Sequence, residues 1–321
     1  EIMSSDWSSD VCSSDLIGSI PFQDSIIHTF ETPADLSSPG WYNNVIASTA
    51  LPSDEINDNN DYSRKLFITP TYSTPYYEDF ENNYGYWRQG GRNSSWSYEK
   101  PDGPIIDSAA SGEYVWVTNS TGYYNNLDSS YLESPCFNLA GIRKPVIEFK
   151  MWSRYEGGKD GLALYYSTDD GTNWNIVPQQ VDFDWNWYNA SNIESLGTVG
   201  WDTSTTTWME AKQLLPSEVK NQSRVKFKFV MASNSSDRRE GVAIDDIKIY
   251  EAPPDVGVTS LVYPTTQCYL SDSVQAQVNI ENAGIDTLFS GQQIPLRLEL
   301  NDQPPVKDTL ELSNNLAPEE S

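Results

Sequence analysis

The sequence predicts an all-β protein built from β-sandwich modules. Helical periodicity is nearly absent, and runs of Tyr, Val, Ile, Trp and Thr recur along the chain, separated by turn-forming residues that include 19 Gly and 19 Pro. β-branched and aromatic residues favour strands, whereas Gly, Pro, Asn and Asp favour the turns between them. The short spacing between these runs is typical of β-sandwiches.

In chain order, the strand-forming runs are 42–47, 64–68, 113–117, 145–151, 162–166, 224–230, 242–250, 274–280 and 295–300. Each run is short, rich in β-branched or aromatic residues and bounded by Asn, Asp, Gly or Pro. One short helix is predicted at 214–220, where Pro216 interrupts it.

Proline-bearing junctions predict the domain boundaries. Thr69-Pro70 with Thr74-Pro75 and Ala252-Pro253-Pro254 divide the chain into blocks 17–70, 71–252 and 253–321. The middle block is large enough for one sandwich. The two flanks are each too short for one, yet placed head to tail they would compose a single immunoglobulin-like module of roughly 120 residues.

The first residues carry no fold information. Residues 7–16, WSSDVCSSDL, match one reading frame of a common short-read sequencing adapter. We interpret residues 1–16 as adapter-derived and expect them to be disordered. Both ends of the chain are expected to be cuts, so the lack of a leader says nothing about location.

Charge and hydropathy exclude two kinds of partner. The chain carries 46 acidic and 20 basic residues, a net charge of −26, without the clustered Lys and Arg that a nucleic-acid surface needs. No run approaches the ~18 consecutive apolar residues of a membrane helix. High net charge is typical of a protein kept soluble, here outside the cell.

The middle block resembles MAM-type domains, which are jelly-roll, concanavalin A-like sandwiches of extracellular proteins. The matching residues are Asp79-Phe80-Glu81, Tyr86-Trp87, Gly103-Pro104-Ile105-Ile106-Asp107, Leu132-Glu133-Ser134-Pro135 and the run from Gly241 to Ile247. The chain lacks the cysteine that precedes the Phe-Glu pair in animal members, so their disulfide is not expected. It is most similar to the variant in large secreted proteins of surface-living bacteria.

The flanks resemble the bacterial immunoglobulin-like module called CARDB. The stretches that carry this resemblance are TTQCYLSDSVQAQVNIENAG at 265–284 and PADLSSPGWYNNVIASTALPSDEINDNND at 33–61. The resemblance implies incomplete immunoglobulin-like modules on both sides of the jelly roll.

The MAM resemblance also implies a structural calcium ion. Some members hold a cation, and the acids that match their motifs are Glu81, Asp107 and Asp245. Calcium takes six to eight oxygen ligands, so acids from separate strands could converge on one ion. The alternative is that Asp245 or Asp246 caps a bulge and that Glu81 pairs with an arginine.

One hairpin motif is purely structural in this interpretation. Residues 167–174, STDDGTNW, match the Asp-box pattern S-x-D-x-G-x-x-W. Asp169 can bond loop amides, Gly171 tolerates positive φ and Trp174 can pack over the turn. A propeller enzyme would show several copies, and the sequence has one.

The segment from Pro178 to Trp208 is the candidate binding surface. Its aromatic residues could stack on sugar rings while neighbouring carboxylates accept hydroxyl hydrogen bonds. The predicted ligand-binding residues are Asp182, Asp184, Trp185, Trp187 and Tyr188. The alternative is that these aromatic side chains are buried under a long loop.

Catalysis is not expected. His28 is the only histidine, and it lies in a strand-like run of a flanking module. Ser-His-Asp, Cys-His and H-E-x-x-H arrangements are therefore not available. Cys136 and Cys268 lie in different blocks and are expected to be buried or free thiols, or paired outside this stretch, rather than partners.

The sequence therefore predicts a non-catalytic extracellular adhesion or recognition fragment whose jelly roll binds a glycan or an extracellular protein. Two alternatives stay open. The chain could be an accessory region of a secreted peptidase or glycosidase, or a structural spacer without a ligand.

Overall fold

The computed structural model describes residue 20 and residues 23–179, 184–253, 255–266, 273–284, 287–301, 303–317 and 321. The adapter-like residues 1–16, Asp182 and Cys268 lie outside them. The chain divides into two compact units, residues 1–39 and 40–321. Within the first unit, residues 23–39 form bends and irregular backbone.

The second unit is built from β-strands. Its strands, in chain order, are β1 Gly40–Ser48, β2 Asp61–Ile68, β3 Thr71–Ser73, β4 Tyr76–Glu78, β5 Arg88–Arg92, β6 Trp96–Glu99, β7 Val115–Thr118, β8 Ser129–Glu133, β9 Cys136–Asn138, β10 Pro145–Arg154, β11 Gly161–Ser167, β12 Asn175–Ile176, β13 Asp184–Trp185, β14 Ala190–Ile193, β15 Thr198–Gly200, β16 Met209–Leu214, β17 Lys226–Ala232, β18 Gly241–Glu251, β19 Gly257–Tyr263, β20 Gln277–Glu281, β21 Gln293–Leu298 and β22 Val306–Glu311. Short 3₁₀ helices span Asn57–Asn59 and Ser217–Val219.

Two antiparallel sheets form the jelly roll. The seven-stranded sheet has the order β13-β16-β10-β18-β7-β6, with β4 also pairing with β18. The five-stranded sheet has the order β12-β11-β17-β8-β5. Most neighbours in each sheet are distant in sequence, as in β10 with β18, whereas β6–β7 and β11–β12 are consecutive strands. The predicted fold class, a β-sandwich jelly roll with incomplete flanking modules, is confirmed.

Several long strands are where the sequence places them, whereas short strands, including the aromatic β6 (WSYE), and polar strands were missed. β10, β11 and β18 cover their predicted runs and extend them by one to three residues. In contrast, β5 (RQGGR) and β8 (SSYLE) are largely polar and were not predicted. They pair with each other and β8 pairs with β17, so their strand geometry is decided by tertiary neighbours. The predicted helix is only the single turn at Ser217–Val219.

An aromatic cluster around Phe149 fills the space between the sheets. The Phe149 ring lies 4.9 Å from that of Phe229 on the opposite sheet, 5.7 Å from that of Trp201 and 6.0 Å from that of Trp187. Alternation explains this placement, because every second residue of β17 is buried while the residues between are half-buried. These four rings form the centre of the largest hydrophobic cluster.

A second, smaller core lies on the outer side of the seven-stranded sheet. Residues 103–114, which we call the covering segment, pack there through Ile105, Ile106 and Ala109 onto Trp152 of β10 and Ala243 of β18. The Trp208 indole N–H donates to the Ser108 carbonyl at 3.0 Å. This hydrogen bond links the residue before β16 to the covering segment. The covering segment therefore makes part of the outer sheet face buried.

The flanking segments form separate two-stranded sheets, β1 with β2, β19 with β20 and β21 with β22. Several of their apolar side chains are exposed, among them Trp41, Ile46, Val258 and Leu261. A two-stranded sheet with one open face is marginally stable alone. The predicted domain boundaries at residues 70 and 252, which fall between β2 and β3 and between β18 and β19, stay predictions.

The structure also bears on the state of Cys136 and on membrane-spanning helices. Cys136 on β9 is buried and free, and burial raises the pKa of its thiol. Within the described residues, no helix has the length and apolar character needed to cross a membrane.

Replacement of Phe149 by alanine tests the central cluster. We expect Phe149→Ala to lower the free energy of unfolding by about 3–5 kcal/mol, because it leaves a cavity among three aromatic rings. Urea denaturation measures the change. The control is Tyr123→Ala, whose exposed ring should change stability by no more than about 0.5 kcal/mol. A loss below about 1 kcal/mol for Phe149→Ala would contradict the central role of this ring.

Candidate functional site

Glu81, the first predicted calcium ligand, holds the end of the covering segment. Its Oε1 accepts the backbone N–H groups of Glu113 at 2.8 Å and Tyr114 at 2.7 Å. Gly112 has a φ of +57°, and a Cβ on it would lie 2.0 Å from the Glu81 carboxyl carbon, so the backbone runs directly against this side chain. Glu81 therefore binds two main-chain amides, where the sequence-based alternative expected an arginine.

Asp245 of β18 accepts hydrogen bonds from the middle of the covering segment. Its side chain is fully buried, and its Oδ2 accepts the N–H groups of Ala110 at 3.0 Å and Ser111 at 3.1 Å. It lies at a bulge of β18, and its Oδ1 accepts the N–H of Asp246, whose φ is +49°. Desolvation of the charged form raises the pKa of Asp245 to about 7 although these amide donors favour the carboxylate.

Two further acids complete this set of contacts, Asp246 and Glu240, and of these only Glu240 was not named from the sequence. Glu240 Oε1 accepts the N–H groups of Ile105 at 2.7 Å and Ile106 at 3.1 Å, and Asp246 accepts the Ser111 hydroxyl at 2.8 Å. Glu240 directly precedes β18, and Asp245 and Asp246 lie within it, so the three acids come from one stretch of the sequence. We call Glu81, Glu240, Asp245 and Asp246 the carboxylate clamp.

The predicted calcium ligands do not converge into one set. Asp107 is exposed, and its recorded partner is the Ser108 hydroxyl at 3.0 Å. Among the described residues, no three His, Cys, Asp or Glu side chains lie close enough together to hold a metal ion. Glu81 and Asp245 each serve as acceptors for backbone amides, so the three-carboxylate ligand set is not observed and calcium binding stays a prediction.

The Asp-box forms the hairpin turn that its pattern predicts. Asp169 Oδ1 accepts the Asn173 N–H at 2.9 Å and the Ser167 hydroxyl at 2.7 Å. Gly171 has a φ of +90°, and its carbonyl accepts the Trp174 indole N–H at 2.9 Å. The hydrogen bonds from Asn173 lower the pKa of Asp169 to about 2. The motif is structural, and it fixes Trp174 on the surface of the five-stranded sheet.

The structure corrects two residues of the predicted sugar platform. Trp187 and Tyr188 are only 4% and 7% exposed, because both rings pack in the central cluster against Trp201. The Tyr188 hydroxyl accepts the Leu164 N–H at 3.2 Å and donates to the Leu164 carbonyl at 3.1 Å. It thus hydrogen-bonds to the main chain of β11 as a neighbouring strand would. Neither residue presents a ring face for stacking on a sugar.

Trp185 is the platform residue that stays at the surface. It lies on the edge strand β13, opposite Lys212 of β16, and 58% of it is exposed. Asp184 pairs with Gln213 through the same short strand. Asp182 falls outside the described residues, so its predicted role stays a prediction.

A cavity of about 150 Å³ lies beside Trp185, since Asn186, the next residue, is part of its lining. The indoles of Trp187 and Trp201 and the side chains of Met151 and Met209 supply its apolar lining, and hydroxyl and amide groups supply the rest. The polar lining residues are Asn186, Ser153, Asn189, Thr203 and Thr205. The amides and hydroxyls at 186, 189, 203 and 205 were not among the predicted ligand-binding residues, although they lie between the aromatics of the same segment.

Internal hydrogen bonds fix the cavity wall. The Trp201 indole N–H donates to the Asn186 carbonyl at 3.0 Å, and the Asn186 side-chain amide donates to the Glu210 carbonyl at 2.9 Å. The Ser153 hydroxyl donates to the Thr203 carbonyl at 2.7 Å. The wall is therefore preformed, with an uncharged lining that suits hydroxyl-bearing rings.

A larger cavity of about 330 Å³ lies on the β6–β7 side. Its lining is entirely polar, with hydroxyl and amide side chains around Glu99. Ligand sites combine apolar or aromatic walls with a few polar groups. The larger cavity lacks the apolar part, so the aromatic-walled cavity beside Trp185 is the better candidate.

Comparison with known proteins gives distant relatives. No family model matches the chain. It is 27% identical over 181 residues to bacillopeptidase F of Bacillus subtilis (strain 168), a match that covers 56% of this chain and 11% of that protein. The chain thus spans about a tenth of the length of this curated relative.

Solved structures with partial similarity are β-rich modules. The K3 cleaved adhesin domain of Lys-gingipain from Porphyromonas gingivalis W83 is 18% identical with a TM-score of 0.35, covering 55% of this chain and 98% of that one. A carbohydrate-binding module of the β-sandwich superfamily is 14% identical with a TM-score of 0.37, covering 67% and 75% of the two chains. These scores are too low to establish a common fold.

The buried carboxyl of Asp245 predicts a pH dependence. Its pKa is raised from 3.8 to about 7 in the folded chain, so the folded state retains a proton that the unfolded chain releases. The stability contributed by this group is present below about pH 4 and is lost as the pH rises through about 7. Asp245→Asn should therefore show a smaller fall in melting temperature between these pH values than the unmodified protein.

Asp107→Asn is the matched control for that experiment, because Asp107 is exposed and bonds only to a neighbouring hydroxyl. It should keep the pH dependence of the unmodified chain. Identical pH profiles for Asp245→Asn and the unmodified chain would contradict the assignment.

The calcium prediction has a separate test. A cation that binds the folded chain raises its melting temperature by mass action. If calcium is bound near the carboxylate clamp, chelation with EDTA should lower the melting temperature of the full chain, and added calcium should restore it. A melting temperature that EDTA leaves unchanged would contradict the calcium prediction.

Proposed function

We propose that this chain is a non-catalytic recognition region of an extracellular protein, in which the jelly roll binds a neutral glycan. The observation that carries the proposal is the aromatic-walled cavity beside the exposed Trp185. Exposed aromatic faces stack against the C–H faces of sugars, and amides and hydroxyls exchange hydrogen bonds with their hydroxyl groups.

The size of the cavity limits what enters it. At about 150 Å³ it is smaller than the ~300–1,000 Å³ of pockets that enclose whole ligands. It therefore suits one ring or one branch of a longer chain. Trp185, outside the cavity on the edge strand, offers a stacking surface for the adjacent ring.

The character of the lining argues for a neutral ligand. The cavity-lining side chains are amides, hydroxyls, thioethers and indoles, without a charged group among them. A carboxylated or sulfated sugar would lose its hydration there without gaining a counter-charge. A neutral sugar exchanges its water contacts for equivalent hydrogen bonds.

The flanking two-stranded sheets serve as spacers in this proposal. They resemble CARDB modules in sequence, and the jelly roll resembles MAM-type domains, as described above. Membership of these families and an extracellular location belong to the proposal. Recognition without catalysis agrees with the composition, since His28 is the only histidine of the chain and lies outside the jelly roll.

A second candidate function is an accessory region of a secreted peptidase. The similarity to bacillopeptidase F favours it, because the aligned stretch covers more than half of this chain. Sequencing the gene beyond both ends distinguishes the two. A peptidase domain in the same reading frame supports the accessory role, whereas further repeats without one favour an adhesin.

Replacement of Trp185 tests the glycan proposal. Trp185→Ala should weaken the binding of a neutral polysaccharide about tenfold, which corresponds to about 1.4 kcal/mol, because it removes the exposed ring and leaves the core intact. Affinity gel electrophoresis of the full chain against mannan, dextran and soluble β-glucan measures the change.

Trp41→Ala is the matched control, because Trp41 is an exposed tryptophan of β1, outside the jelly roll. It should bind as the unmodified chain does. Equal binding by the Trp185 variant, or no binding of any neutral polysaccharide by the unmodified chain, would overturn the proposed site.

A further inference from the structure

The outer face of the five-stranded sheet has a charge opposite to that of the chain. Its outward-facing strand residues include four bases and one acid, within a chain of 46 acids and 20 bases. The bases are Arg88 and Arg92 of β5 and Lys226 and Lys228 of β17, and the acid is Glu133 of β8. We call these five residues, with Tyr131 and Tyr165, the basic face.

Strand register aligns the central residues of this face in one row. Lys228 pairs with Tyr165 of β11 on one side and with Glu133 on the other, and Glu133 pairs with Arg88. Burial alternates along β17, with Phe227 and Phe229 in the core. The row therefore points away from the core, across four adjacent strands.

The single acid of the face is already paired. Glu133 Oε1 lies 3.1 Å from the Lys226 ammonium and 3.7 Å from the Arg88 guanidinium. The Arg88 guanidinium also stacks 4.8 Å from the Phe67 ring centroid. These contacts hold Lys226 and Arg88 in place. Glu133 also attracts Lys228 across the strand pair, so one carboxylate faces three of the four bases.

Lys228 is held by aromatic rings instead of by a carboxylate. Its ammonium lies 4.0 Å from the Trp174 ring centroid and 5.0 Å from that of Tyr131. Within the described part of the chain it forms no hydrogen bond and no ion pair. Desolvation lowers its pKa. Cation–π contacts position the ammonium but do not satisfy its three N–H donors.

The supporting rings are themselves fixed. Trp174 is set by the Asp-box turn, where a Cβ on Gly171 would lie 3.2 Å from its ring. Tyr131 lies against the backbone of Gly90, where a Cβ would be 2.4 Å from the ring. The face is thus a rigid surface rather than a set of free lysine side chains.

We propose that this basic face binds an anionic glycan, whose carboxylates pair with Lys228 and Arg92 and whose sugar rings lie against Tyr131 and Tyr165. Arg92 is exposed and, like Lys228, has no ion pair among the described residues. This site is separate from the cavity beside Trp185, which lies at the β13 edge of the other sheet, and it does not depend on the neutral-glycan proposal.

Charge complementarity is the reason for the anionic class. A strongly negative chain repels polyanions at long range, but at physiological ionic strength charges more than about 8 Å away are largely screened. A local excess of positive charge then decides binding at contact. Charge-assisted hydrogen bonds from ammonium and guanidinium groups are about twice as strong as neutral ones.

The test is affinity gel electrophoresis of the full chain in gels that contain alginate, a carboxylated glycan, or dextran, a neutral one. The unmodified chain should be retarded by alginate, less so at higher salt. Lys228→Met keeps the aliphatic stem between the rings and removes the charge, and Arg92→Gln changes an exposed residue. Each should weaken alginate binding about tenfold.

Two matched variants separate this site from other effects. Lys65→Gln removes an exposed lysine of β2, and Trp185→Ala alters the cavity site, so both should bind alginate as the unmodified chain does. The melting temperature of Lys228→Met shows whether this variant folds. If it does not, Arg92→Gln still tests the proposal.

Three outcomes overturn the proposal. They are alginate binding that neither Lys228→Met nor Arg92→Gln weakens, absence of retardation by alginate, and binding of poly-L-glutamate in place of alginate. The last outcome would assign the basic face to an acidic protein. None of them bears on the Trp185 site, whose own test uses neutral polysaccharides.

Discussion

The burial of aromatic rings between two sheets is the constraint on which this molecule depends. Phe149 of the seven-stranded sheet contacts Phe229 of the five-stranded sheet, and Trp187 and Trp201 close the cluster from the long segment between β12 and β16. Full burial of large apolar side chains is the main favourable term in folding. The cluster therefore fixes the distance between the sheets and, with it, the position of every surface residue that they carry.

The same constraint explains why, among the described tryptophans of the 178–208 segment, Trp185 alone is largely exposed. The strand ends at Trp185, and the chain turns at Asn186, whose φ is +51°. After this turn Trp187, Tyr188 and Trp201 enter the core, while Trp185 stays outside it. Trp187 and Trp201 still border the small cavity, so they shape a candidate site without being its stacking surface. An aromatic-rich segment thus divides its residues between stability and recognition.

The carboxylate clamp shows how acids that resemble metal ligands in sequence can serve the fold. Glu81, Glu240, Asp245 and Asp246 accept backbone and hydroxyl donors of the covering segment, which would otherwise lie over the sheet with unpaired amides. Each buried amide needs an acceptor, and Glu81, Glu240 and Asp245 accept the amides while Asp246 accepts the Ser111 hydroxyl. On the opposite sheet, aromatic rings instead hold Lys228, so the two outer faces differ in both charge and chemistry.

The sequence by itself determined the all-β class, the strands with strong apolar or β-branched signals and the Asp-box turn, because these depend on local propensity and short-range hydrogen bonds. It did not determine the polar strands β5 and β8, which exist through pairing with distant partners. Only the tertiary structure decided which aromatics are exposed, which acids meet the covering segment, and that four bases share one face. Those properties depend on register and sheet order, which join residues far apart in the chain.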